Sequence, residues 1–343
     1  MNSIDERIAR LHRGGVIDLH FDLPLSLFLS EPRRNVIASD FLPEFEAGDI
    51  GVLGVALYVE DKHLGEPALR VALDQVALLN AELEQNPRLT LCRTFAEIEQ
   101  ARREGKIALL LTMEGAEPLG DDLYLLQIFH ALGLRSLSLT HARQNAAASG
   151  GVFAASGSPA TGLTDFGREL VGECERLGIM LDLAHINPVG FEEICALATR
   201  PVIVSHSNAR RYYDIERNMS DEQIKMIGAR GGVMGLNAIL VSAKREEATL
   251  DRYIDHIEHV ANLIGIDGVG IGFDFCEFLW RQLPDAEREA LQAKLTTPRF
   301  LPDLGNHAHT RNVTCKLIER GFSDDEIEKI LRGNWLRIFR QLL

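Results

Sequence analysis

Positive charge is in short supply in this chain. Its 36 lysines and arginines face 50 aspartates and glutamates, for a formal net charge of −14. The basic residues gather only in short pairs such as Arg33–Arg34 and Arg210–Arg211. Neutralising a phosphate backbone needs a basic face, so the balance argues against a nucleic-acid partner. The five cysteines (Cys92, Cys174, Cys195, Cys276 and Cys315) are scattered, odd in number and form no C-x-x-C. A disulfide framework and a cysteine zinc site are both out of pattern, and reduced thiols are expected. No run of apolar residues is long enough for a membrane span. The start, "MNSIDERIARLHRGG", lacks the apolar core of a secretory signal, and "RIFRQLL" is not a lipid-anchor signal, so a soluble cytoplasmic protein is expected. No G-x-G-x-x-G follows the first apolar run, which leaves a dinucleotide fold and NAD, flavin or folate chemistry without support. Low-complexity linkers and repeats are missing too, so residues 1–343 read as one domain.

Short apolar runs do recur, separated by longer helical patterns. Strands are expected at Val16–Asp22, Val52–Val59, Ile107–Met113, Ser136–His141, Met180–His185, Val202–His206, Gly232–Asn237 and Val269–Asp274. They lack strict alternation, as parallel strands buried on both faces do. Helices are expected at Glu66–Gln85, at Thr164–Leu177 behind a Thr164 cap, and after Ser220, whose Gln223 completes a capping box. Eight strands alternating with helices predict an α/β fold of the (β/α)8 TIM-barrel type, with a doubly wound open sheet as the competitor.

Chemistry on such a barrel sits at the C-terminal ends of the strands. Those ends supply His20 and Asp22, Glu114, His141, His185, His206 and Asp274. The second and seventh offer only Glu60–Asp61 and Asn237. A single histidine there is ordinary, but a carboxylate buried without a partner is costly, and six strands ending in metal-competent side chains is hard to produce by packing. Residues i and i+2 of a strand share a face, so His20 and Asp22 can grip one ion together. His185 and His206 can converge on a second. Glu114, with two oxygens, sits between them around the ring and could bridge two ions, the layout of a two-metal hydrolase with a bridging hydroxide as nucleophile.

The segments "VIDLHFDLP", "TMEGAEPL", "LGLRSLSLTHARQNAAASG", "GLTDFGRELV", "LDLAHINP", "RPVIVSHSNAR", "RNMSDEQI" and "VGIGFDF", in that order and followed by "RGFSDDEIEKILRGNWLRIF", resemble the membrane (renal) dipeptidase family of the amidohydrolase superfamily. The resemblance implies a barrel with two Zn2+ ions that hydrolyses dipeptides, often with a D-residue at the C-terminal position, and a possible homodimer. It implies that His20 and Asp22 hold one metal, His185 and His206 the other, and that Glu114 bridges. His141 would polarise the scissile carbonyl, Arg217 would pair with the substrate carboxylate, and Asp274 would carry the proton to the leaving amine. An arginine fork suits a carboxylate as a lysine does not.

The chain departs from the family pattern in places. "FCEF" follows Asp274 where relatives often carry a second acid and a glycine, and the stretch after His141 lacks the usual asparagine. That stretch, 142–160, reads as a lid, a pocket rim or a plain surface loop. The segment 276–312, with Trp280, Arg281, His307, His309 and Arg311, is long enough to cap the site but assigns none of these to substrate. His256 and His259 read as a half-exposed helix face. The alternative is another amidohydrolase acting on N-acyl amino acids, lactones or cyclic amides, which the scaffold tolerates because specificity lives in the loops; the complete set of metal-type residues speaks against a third reading, a non-catalytic binding protein.

Overall fold

Nine parallel strands form one sheet in the computed structural model, which describes residues 4–282, 284–286, 288–289 and 300–343. They are β1 (Val16–Phe21), β2 (Ile50–Tyr58), β3 (Leu89–Leu91), β4 (Ile107–Glu114), β5 (Leu134–Ser138), β6 (Met180–Asp182), β7 (Ile203–Ser207), β8 (Val233–Leu236) and β9 (Val269–Ile271). Eight run side by side in the order β1-β2-β4-β5-β6-β7-β8-β9, and helices alternate with them. This is a nearly closed (β/α)8 barrel. β4, "IALLLTME", is buried at every position, as a strand covered on both faces must be.

β3 was not expected. It pairs Leu89–Leu91 with Ile107–Leu109, the stretch of β4 that lies before its pairing with β5 begins at Leu111. Three residues are too few to carry a periodic signal. Other strands stop earlier than their apolar runs suggest: β5 at Ser138, β6 at Asp182 and β9 at Ile271. Their last residues leave the ladder and bond to loops instead. The carbonyl of His185, for example, accepts from Gly151 N–H at 2.7 Å and from the Thr140 hydroxyl at 3.3 Å.

Between β9 and β1 a side chain replaces the ladder. Asp18 is fully buried, and its Oδ1 accepts from the backbone N–H of Phe273 (2.9 Å) and of His20 (3.2 Å). Its Oδ2 lies 2.8 Å from Nε2 of His307. Phe21, Phe45, Phe273 and Phe275 pack their rings around that imidazole.

The helices begin where the sequence signals them. Thr164 accepts from Gly167 N–H ahead of helix Asp165–Leu177, and Ser220 and Gln223 complete a capping box on Asp221–Ala229. Helix Pro67–Gln85 starts at its proline. Ile17, Leu19, Val52, Ala108, Leu110, Met180, Ile203 and Val233, contributed from around the barrel, form one apolar cluster with Trp335, Ile338 and Phe339. The helix Asn334–Leu342 therefore closes the N-terminal end of the barrel, and the Trp335 indole N–H donates to the Ile271 carbonyl at 3.0 Å.

His256 is not on a half-exposed face. It is fully buried in helix Leu250–Ile264, with Nδ1 accepting from Ala209 N–H (3.0 Å) and Nε2 donating to the Val241 carbonyl (2.8 Å). Two backbone groups that would otherwise be orphaned explain the choice of histidine. His259 instead pairs with Asp221 at 2.7 Å. Among the described residues, no helix is long and apolar enough to cross a membrane.

Candidate active site

Backbone irregularities aim the polar side chains into the C-terminal mouth of the barrel. The register of β1 on β2 slips between Asp18 and Phe21, and that of β7 on β8 between Val204 and Ser207. These slips bracket His20 and His206, and such departures re-aim side chains. Asp22 follows β1 directly and occupies the N-cap position of helix Leu23–Leu29. Glu114 is the last residue of β4. His185 and Asp274 lie beyond their strands with φ of 66° and 57°, a region that non-glycine residues seldom occupy.

The seven groups meet closely. Nε2 of His20 lies 3.9 Å from Asp22 Oδ1, 3.7 Å from Glu114 Oε1 and 3.7 Å from Asp274 Oδ1. The same Glu114 oxygen lies 2.9 Å from His185 Nε2 and 3.4 Å from His206 Nε2. The His20 and His206 rings stack at 3.6 Å, and the His141 ring lies 4.3 Å from that of His185. Three groupings bring ligand atoms close enough to hold an ion: His20, Asp22 and Glu114; His20, His206 and Asp274; Glu114, His141 and His185. Glu114 stands in two of them, and Asp274 joins a grouping although its expected part was proton transfer.

The electrostatics are those of a cluster built around missing positive charge. Burial raises Asp22 to about 7 and Asp274 to about 8, and burial with the charges of Asp22 and Asp274 pushes Glu114 up. Burial, helped by Arg217, lowers His20 to about 3 and drives His185 and His206 well down; His141 falls by burial, then by Arg143 and Arg217. Carboxylates that resist ionising beside imidazoles that resist protonation suit a divalent cation. His20 Nε2 and Asp22 Oδ1 are buried without a hydrogen-bond partner, as donor atoms awaiting an ion would be.

Arg217 is 1 % exposed, and neither Nη1 nor Nη2 has a partner. Burial lowers its pKa while Asp274, Glu114 and Asp182 raise it, so its charge faces the cluster. An unpaired buried guanidinium demands an anion.

Several residues around the site carry no sequence motif. Asn237 donates to Asp274 Oδ2 at 2.9 Å. Arg143 donates to the Tyr58 hydroxyl (3.0 Å), the Val59 carbonyl (2.7 Å) and Glu117 Oε1 (2.8 Å), tying the ends of β2 and β4 together. The Tyr58 ring in turn lies 4.9 Å from that of His141. The stretch 142–160 is an anchored rim. Glu216 accepts from Val152 N–H (3.2 Å) and Gly157 N–H (3.1 Å), and Arg217 N–H donates to the Val152 carbonyl. This sets Phe153, 42 % exposed, at the mouth with its ring 6.3 Å from His141. Much of the segment 276–312, including the Arg281 side chain, lies outside the described residues. Of its other residues, His307 binds Asp18, and Arg311 pairs with Asp49 at 2.9 Å. A cavity of about 540 Å3 opens at the opposite end of the barrel, beside Gly14, Gly51, Arg88, Arg102 and Lys106. Those cations are already matched by Glu46, Glu99 and Glu104.

A parallel barrel whose C-terminal mouth gathers four imidazoles and three carboxylates defines a metal-dependent hydrolase of the amidohydrolase type. Residues 6–296 match the model of the membrane dipeptidase family, peptidase family M19. The chain is 28% identical over 324 residues to dipeptidase tcpJ of Claviceps purpurea, spanning 91% of this chain and 71% of that one. It is 29% identical over 317 residues to dipeptidase verJ of Clonostachys rogersoniana, spanning 89% and 76%. A metallo peptidase from Rhodobacter sphaeroides, solved with a phosphinate mimic of the dipeptide L-Ala-D-Ala, superposes with a TM-score of 0.83 at 28% identity, over 96% of this chain and 99% of that one. The chain belongs to the membrane dipeptidase family and is a metal-dependent hydrolase of peptide bonds.

Proposed function

We propose that the protein is a zinc dipeptidase that takes two ions per chain and whose substrates include L-Xaa-D-Xaa dipeptides. The reading is carried by Arg217, a buried cation without a partner whose charge reaches Glu114 and Asp274. A substrate with a free carboxylate close to its scissile bond fits that demand, and a dipeptide has one. The L,D preference draws on the Rhodobacter sphaeroides relative and its L-Ala-D-Ala mimic.

His20 and Asp22 would hold one ion, His185 and His206 the other, and Glu114 both. Nitrogen and oxygen donors suit zinc, and manganese or cobalt fit the same set. When bound, the metals supply an acidified water and polarise the scissile carbonyl. Arg217 pairs with the substrate carboxylate and sets the distance from that end to the bond cut. His141, held neutral by burial, donates an N–H to the oxygen on which negative charge develops. Asp274, whose Oδ1 lies 3.7 Å from His20 Nε2 inside the cluster, would take the proton of the attacking water and pass it to the leaving amine. Asn237 holds its Oδ2 and leaves Oδ1 for that exchange.

The test is a stereochemically complete dipeptide library turned over by the metal-loaded protein, with metal content measured on the same sample. About two zinc ions per chain and cleavage of L,D members are expected. A sample that binds no divalent metal under any reconstitution overturns the reading.

A further inference from the structure

Resting on the dipeptidase reading, we propose that Phe153 is the wall against which the side chain of the substrate's C-terminal residue packs, so that the enzyme favours apolar residues at that position.

Two glycines bring the chain to this place. A Cβ on Gly150 would fall 1.7 Å from the His141 carbonyl oxygen, and one on Gly151 would fall 3.0 Å from that of Glu216. At Gly150 only a residue without a Cβ lets the backbone pass so close. Both neighbours of Phe153 are then bonded to a segment of the site itself. The Val152 carbonyl accepts from Arg217 N–H at 3.2 Å, and the Ala154 carbonyl accepts from Glu216 N–H at 2.8 Å. Phe153 is thus fixed at its backbone on both sides. Its ring lies 6.3 Å from that of His141 and 6.4 Å from that of His185, within the range of aromatic contact. The residue is nevertheless exposed.

A single exposed apolar side chain is ordinary on a protein surface. Phe153 differs in two ways. It is held on a bonded backbone against two imidazoles of the site. It is also the one large side chain in "FAASGSPA", residues 153–160, so no other residue of that stretch covers a ligand. An apolar face fixed beside a few convergent polar groups is the usual make-up of a small-molecule site.

The occupant follows from the neighbours. His141 addresses the scissile carbonyl, and Arg217 addresses the C-terminal carboxylate. The path through a dipeptide from that carbonyl to that carboxylate crosses one Cα, that of the C-terminal residue. Phe153 borders the same span, with its ring against His141 and its preceding residue bonded to Arg217. The N-terminal side chain lies on the other side of the carbonyl.

The test compares metal-loaded, full-length wild type, Phe153→Ala and Phe153→Glu on two dipeptide series. In one, L-Ala is followed by Gly, D-Ala, D-Val, D-Leu, D-Phe or D-Lys. In the other, Gly, L-Ala, L-Val, L-Leu, L-Phe or L-Lys precedes D-Ala. Wild type should cut L-Ala-D-Leu with a kcat/KM about 10-fold above that for L-Ala-Gly, as one apolar wall gives. Phe153→Ala should erase most of that ratio, chiefly through KM. Phe153→Glu should turn the preference toward D-Lys. Ratios within the N-terminal series should keep their wild-type order in both variants. Either variant that folds decides the matter alone. A wild type that cuts dipeptides without the apolar preference overturns the wall, as do unchanged ratios in a folded variant. Equal shifts in both series, or a shift confined to the N-terminal one, overturn it too. Wild type that cuts no member of either series overturns the dipeptidase reading, and the wall with it.

Discussion

Oδ2 of Asp18 lies 2.8 Å from Nε2 of His307, across a sequence separation of 289 residues. The contact joins the first strand to the segment that follows the last. It does so at the one place on the strand path where β9 and β1 share no ladder, and next to His20, whose backbone N–H the same carboxylate accepts. Closure of the barrel and placement of a metal-competent imidazole thus depend on one buried side chain.

Asp18→Ala should cost about 3–5 kcal/mol of stability, the range for breaking a buried, hydrogen-bonded pair. Urea unfolding of the metal-free protein measures it. A loss under about 1 kcal/mol would mean that water or a neighbouring group satisfies the three donors.

Arg217→Lys keeps the charge but loses the fork. The expected result is a drop in kcat/KM of about 10- to 100-fold on dipeptides, following from charge-assisted hydrogen bonds worth about 1.5–3 kcal/mol. C-terminal amides of the same dipeptides should lose far less. Equal losses on acid and amide would remove the carboxylate from the argument.

Glu216→Gln turns an amide donor toward either Val152 N–H or Gly157 N–H, which bond to different carboxylate oxygens, and keeps an acceptor for the other. The rim between these residues should then be nicked faster by proteases and exchange its amide hydrogens sooner, while strands such as β4 keep their protection. A rim as protected as in wild type would show that Glu216 is not its anchor.

His256 supplies a pH dependence. Burial lowers it from an ordinary value of 6.5 to about 3. The unfolded chain therefore takes up the proton first. The stabilisation is complete above about pH 6.5 and is lost as pH falls toward 3, by about 1.4 kcal/mol per pH unit. His256→Gln should flatten that slope relative to wild type when urea midpoints are compared at pH 6 and pH 5. The histidines of the site are common to both proteins and cancel in the comparison. Parallel slopes would contradict the assignment.

The barrel was legible in the sequence because parallel strands buried on both faces leave apolar runs, and the site because those runs end in polar residues. Their positions at strand ends place His20, Asp22, Glu114, His141, His185, His206 and Asp274 on one ring. The strand limits could not be read. The backbone turns to positive φ at His185 and Asp274, and that turn depends on loops distant in sequence. β3 was hidden by its shortness. His256 does not lie on the half-exposed face its spacing suggests, because a histidine satisfying buried backbone groups has the same local pattern as a solvated one. Asn237 is legible as the polar end of the seventh strand, but its bond to Asp274, and the contacts of Arg143 with Tyr58 and Glu117, join partners that no spacing rule connects.

Trp335 bears on the order in which the molecule can be completed. A ribosome delivers β1 and β2 long before the helix that carries this indole. Ladders can form strand by strand as neighbours emerge, but the apolar floor around Ile17, Leu19 and Val52 has nothing to close on until that helix arrives. A nascent chain stalled short of it would present an open hydrophobic cup, the kind of surface that chaperones hold.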